Sequence, residues 1–204
     1  MRYTGSTLMV VVLLSGSLAG QEKDKDKSAP TYEAVADSTW IRVRSTATGV
    51  EAQFPKRPDY SDKALKFTYR DPDNETTFEV VCVPLGNIVK EREGDKQKLD
   101  ELYSVLVKAM VSHGEGKLVD TRDLTHDGRT ARRVNWTYSP KGGPWKGTAL
   151  LVAAGDTVYV ASVTRPSATP VPDKTLEQFI ASVRPLAKAA KAAEPKKEVV
   201  DLTA

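Results

Sequence analysis

Three side chains in this chain could carry nucleophilic or acid–base chemistry: Cys82, His113 and His126. A thiol enzyme or a hydrolase needs a nucleophile, a base beside it and an acid that orients the base. Cys82 alternates in phase with Phe78 and Val80, and no charge adjoins it in sequence to stabilise a thiolate. It reads as a buried, inert thiol. His113 ends a helical pattern, where a cation suits the negative end of the helix dipole. His126 stands in a turn beside Asp127. The run Ser112–Gly116, "SHGEG", is a helix stop and not a nucleophile elbow. The expectation is a protein that is not an enzyme, with a hydrolase or thiol enzyme built on His113, His126 or Cys82 as the alternative.

Metal chemistry has little to work with. Zinc takes three or four His or Cys ligands, and these three residues are spread along the chain. Asp71, Asp73 and Glu75 match part of a calcium loop, but the glycine and the distal glutamate are missing. A proline turn explains the cluster better, so no metal and no cofactor are expected. The segment Lys141–Gly147, "KGGPWKG", lacks the Gly-Lys-Ser/Thr of a phosphate loop. It reads as a connector between strands. Trp145 and Lys146 in it, with Arg129 and Arg132 on the neighbouring strand, form a candidate binding edge for an anionic or ring-shaped ligand.

The elements that must position these residues follow from periodicity. Val50, Ala52 and Phe54 alternate with polar residues, as do Leu65, Phe67 and Tyr69, and then Phe78, Val80 and Cys82. Period two marks strands with one buried face. Asp71-Pro72-Asp73-Asn74 between the last two is a turn, so they pair as a hairpin. Leu99, Leu102, Tyr103, Leu106 and Met110 recur at helical spacing between an Asp95 N-cap and Gly114. Strands over 117–125 and 129–138 meet at Asp127-Gly128, with Val134, Trp136 and Tyr138 sharing a face. A further hairpin turns at Gly155-Asp156, and a last helix from Asp173 carries Leu176, Phe179, Ile180 and Val183 up to Pro185. Strands, a helix, a run of strands and a closing helix give the α+β class, an antiparallel sheet with helices packed on it.

The pieces "GVEAQFP", "KLDELYSVLVKAM", "DGRTARRVNWTY", "GTALLVAAGDTVYVASV" and "TLEQFIASVRPL", in this order, resemble the PsbP/DcrB-like group of small exported α/β-sandwich domains. The resemblance implies a curved antiparallel sheet flanked by helices and an accessory or binding role without catalysis. It supplies no site residue.

The ends of the chain set its destination. Arg2, the apolar run Leu8–Leu14 and the small residues Ser17 and Ala19 form a signal peptide over 1–19. The apolar run is shorter than the roughly 20 residues of a membrane span, and no later stretch approaches that length. Leu18-Ala19-Gly20 looks like the approach to a lipidated cysteine, but residue 21 is Gln. Residues 20–33 read as a flexible charged linker, 34–187 as one domain and 188–204 as a disordered Lys/Ala-rich tail. Removing Arg2 from 30 basic residues leaves 29 against 27 acidic ones. Such a balance argues against nucleic acid as a partner. One cysteine forms no internal disulfide, so the fold rests on its core. The expectation is a bacterial, secreted or periplasmic monomer that meets an envelope protein or a small ligand, with an envelope structural protein acting through its charged tails as a further alternative.

Overall fold

The computed structural model describes residues 29–113, 115–140 and 143–186, with the His113 side chain excepted. The signal peptide, most of the linker, the tail from 188 and Lys141–Gly142 lie outside the described residues.

The elements run β1 (Thr31–Ala34), β2 (Ile41–Ser45), β3 (Val50–Phe54), β4 (Asp59–Ser61), β5 (Lys66–Arg70), β6 (Thr77–Pro84), α1 (Asn87–Lys90), α2 (Lys96–His113), β7 (Lys117–His126), β8 (Arg129–Tyr138), β9 (Trp145–Ala154), β10 (Thr157–Pro166), α3 (Asp173–Ser182) and β11 (Arg184–Pro185). They form two antiparallel sheets, an α+β sandwich. The small one has the order β1-β2-β3-β11, the large one β4-β5-β6-β10-β9-β8-β7.

The expected single sheet is thus two. The domain also starts earlier than residue 34: Thr31–Glu33, assigned to the linker, join Ala34 in a strand that pairs with β2 from Thr31↔Arg44 to Ala34↔Ile41. Tyr32 supplies the reason, since Arg57 lies 4.3 Å over its ring and holds the strand down. Pro185 does not end α3. The helix stops at Ser182, and Arg184–Pro185 then pair with Glu51 and Val50 of β3.

Each face of the large sheet carries its own core. On one face, β2, β3 and α3 pack Val43, Phe54, Leu176 and Phe179 against Phe67, Phe78, Val80 and Cys82. Phe179 meets Phe54 and Phe78 edge-to-face at 5.2 and 5.3 Å. On the other face, α1 and α2 bury Val89, Leu102, Tyr103 and Met110 against Val134, Trp136, Leu151 and Val158. Two buried faces explain why β10 is buried over its first seven residues instead of alternating. The β7–β8 turn has Asp127 at φ 50° and Gly128 at φ 74°, the two left-handed positions of a tight hairpin turn. α2 begins as expected, with the Asp95 carboxylate accepting the Lys98 backbone N–H at 3.1 Å.

Candidate functional site

Of the residues singled out for catalysis, Cys82 and His126 can be placed, and the His113 side chain lies outside the described residues. Cys82 is buried, and desolvation pushes its thiol up to about 12, away from the thiolate a nucleophile needs. The His126 ring nitrogen Nε2 lies 2.6 Å from the Val183 carbonyl oxygen, so it donates there and ties the β7–β8 hairpin to the end of α3. No hydrogen bond joins His126 to Cys82 among the described residues. Asp71 closes its own turn: its carboxylate accepts the Asp73 backbone N–H at 3.0 Å and the Asn74 side-chain amide at 2.9 Å. No group of residues suited to a metal ion occurs among the described residues.

The binding edge drawn from sequence is divided between faces. Residues 132, 134, 136 and 138 of β8 face α2, with residues 145, 147, 149 and 151 of β9 beside them. Arg129 and Lys146 point to the opposite face. Arg129 pairs with Asp127 in the turn, while Lys146 stands exposed near the other end of the sheet, opposite Thr137. Arg132 is not a solvated cation. It is 7 % exposed and clasps two elements to its own strand: Nε donates to Asp123 of β7 at 2.8 Å, Nη1 to Ser104 of α2 at 3.0 Å, and Nη2 to Asp100 of α2. Its guanidinium holds Asp123 below the usual carboxylate range. Of the four, Trp145 and Arg132 share the α2-side face, and Arg129 and Lys146 the opposite one.

The α2-side face continues from β9 over β10, β6 and β5. Cross-strand register sets its rows: Thr68, Glu79 and Ser162 lie side by side, and Arg70, Thr77, Thr164 and Gly147 form the next row. α2 packs chiefly over β7 and β8, with few contacts to β5, β6 and β10. Lys66, Thr68, Thr77, Val81 and Thr164 are half-buried there, and Arg70 is exposed.

Glu79 is the anomaly. It is 4 % exposed, its Oε2 takes Lys66 Nζ at 3.1 Å and the Thr68 hydroxyl at 3.3 Å, and its Oε1 has no partner. Burial raises its pKa despite the opposing pull of Lys66. Beside this polar strip stand three aromatic side chains. A Cβ at Gly147 would fall inside the Trp136 ring, so glycine is what lets that ring lie across β9. Tyr138 is desolvated and faces the Thr164 hydroxyl. Trp145 lies beside Tyr138 with ring centroids 5.9 Å apart and a 34° tilt.

Sequence reasoning missed Glu79 because it alternates with Phe78, Val80 and Cys82 and so reads as solvent-facing. Val81 and Val83, on Glu79's own side of the strand, were the available signal that this side is covered too.

No family model and no curated protein matches the sequence. The backbone does have counterparts among solved structures. A cyanobacterial PsbP (CyanoP) from Synechocystis superposes with a TM-score of 0.56 at 11 % identity, covering 74 % of this chain and 95 % of that one. The fold is PsbP-like. Two more distant matches are LpqN, described as involved in cell envelope biogenesis of Mycobacterium tuberculosis (TM-score 0.37, 13 % identity, 78 % of this chain and 86 % of that one), and a Pseudomonas aeruginosa protein described as a putative regulator (TM-score 0.38, 12 % identity, 69 % and 85 %). At these identities the likeness concerns the fold alone.

Proposed function

We propose that this chain is an exported, non-catalytic domain of the bacterial envelope that binds a partner through the uncovered face of its large sheet. The carrying observation is Glu79: a carboxylate buried on that face with one oxygen unpartnered, beside the half-buried hydroxyls of Thr68 and Thr77. An unmet buried acceptor costs roughly 1–3 kcal/mol, and a partner that donates to it recovers that cost. Export rests on the residue pattern of 1–19. Among the described residues no helix is long and apolar enough to cross a membrane. The PsbP-like fold suits an accessory role.

Expression of the tagged chain in a bacterial host tests this. The mature protein should begin at Gly20 by intact mass and should co-sediment with envelope material. A chain that keeps residues 1–19 in the cytoplasm contradicts the reading. So does an enzymatic activity that disappears on replacing Cys82, His113 and His126 while the fold survives. Deleting 21–28 and 188–204 separates this reading from a structural protein acting through its tails, because face-mediated binding survives that deletion.

A further inference from the structure

We propose that residues 196–204 of this chain join the large sheet as one more antiparallel strand, along the outer edge of β7. The inference is independent of the binding role given above, which concerns a sheet face.

β7 is the end strand of the large sheet, and eight of its ten residues are exposed. The strand at the other end, β4, spans only three residues. A long open edge offers a row of unmet backbone groups to any strand that meets it. The turn decides which groups those are. His126 and Arg129 flank the two-residue turn and bond to each other, so Leu124 and Arg122, two and four residues away, bond to β8 as well. The backbone groups of Thr121 and Asp123 then point away from β8. The charges of Asp120, Arg122 and Asp123, with the bulge between Leu118 and Asp120, suit this edge poorly to indiscriminate stacking. A strand that fits must match its pattern.

The segment Lys196–Ala204 matches it. Read backwards from His126, β7 is first charged, at Asp123, Arg122 and Asp120, and then apolar, at Val119 and Leu118. These two are 62 % and 50 % exposed, large apolar side chains left in solvent. Residues 196–204 read "KKEVVDLTA". They too are first charged, at Lys196, Lys197 and Glu198, and then apolar, at Val199, Val200 and Leu202. An antiparallel partner entering at the His126 end lays charge beside charge and apolar beside apolar. The register that sets Glu198 opposite Arg122 also sets Lys197 opposite Asp123, two favourable cross-strand pairs. Asp201, the one charge in the apolar half, has Lys117 as its counter-charge at that end.

The route is short. The His126 ring bonds to the Val183 carbonyl oxygen at 2.6 Å, so the chain leaves α3 beside the end of β7 where the added strand must begin. Leu186, whose N–H donates to the Gly49 carbonyl, lies within about 11 Å of Val183. From there to Lys197 the extended chain spans up to about 36 Å, ample for the return. The added strand closes the long edge to strands of other molecules and so guards the sheet.

Amide hydrogen exchange of the mature chain, read by nuclear magnetic resonance with and without residues 196–204, tests this. The full chain should protect the Thr121 and Asp123 amides, and the deletion should speed their exchange at least roughly tenfold. The β9 amides should exchange equally in both, which reports an intact fold. Arg122→Glu and Glu198→Arg should each speed the same two amides, and the double variant should restore their protection. Equal exchange of the two amides with and without residues 196–204 overturns the proposal. So does a double variant no better protected than the single ones. Protection that fades on dilution, together with a dimer in sedimentation, assigns the cover of β7 to a second copy and overturns it as well.

Discussion

Glu79 carries the account at the scale of single residues. Its folded pKa is raised, so the folded state keeps a proton on it to higher pH than the unfolded chain does. Between the ordinary glutamate range and the raised value, the folded state binds more protons, and stability falls as pH rises through that window. Glu79→Gln does not titrate. The urea midpoint of the variant minus that of the parent should therefore increase across the same window, and a flat difference would count against a strained buried carboxylate. Gly147 makes a second prediction. In Gly147→Ala the new methyl meets the Trp136 ring, and overpacking of this kind costs about 1–3 kcal/mol. A lower melting temperature with altered near-ultraviolet circular dichroism would report it. An unchanged spectrum would mean that Trp136 does not lie across β9. Neither residue was legible as a site in the sequence. Polar–apolar alternation tells which side chains share a face but not whether the second face is covered.

At the scale of elements, Arg132 shows what alternation does and does not reveal. Its parity with Val134 and Trp136 places it on the buried side of β8, and a cation there must find partners. It finds them on α2 and β7. The carboxylates are partly exposed, at 53 % for Asp100 and 37 % for Asp123. Arg132→Met is thus expected to cost about 2 kcal/mol, below the full cost of breaking a wholly buried pair. Thermal melts and amide exchange should show α2 loosening before the large sheet, and uniform destabilisation would deny the clasp. The long strands, both long helices and the three hairpins were readable because turn residues and periodicity agree over many residues. β1, β4, α1 and β11 span four, three, four and two residues, too short for a period to show. Tertiary contacts hold them: the Arg57–Tyr32 stack for β1, Tyr60 on Phe67 with centroids 4.7 Å apart for β4, and pairing with β3 for β11.

For the whole molecule, the two-sided burial of the large sheet explains both the fold and the site. The small sheet and α3 cover one face and bury Cys82 in its core. α1 and α2 cover only part of the other, and the remainder presents hydroxyls, an ion pair and tryptophan. The fold class and the PsbP-like order of elements could be read from the chain because they depend on local pattern. The location of the site depends on which part of a face a helix leaves open, and that is a property of packing. Hydrogen–deuterium exchange of the mature domain, with and without host envelope material, tests this most directly. The account predicts added protection in 66–70, 77–81 and 162–166 and around Trp145, with β1 and the β7 edge unchanged. Protection confined to β7, to the small sheet, or absent everywhere would contradict it.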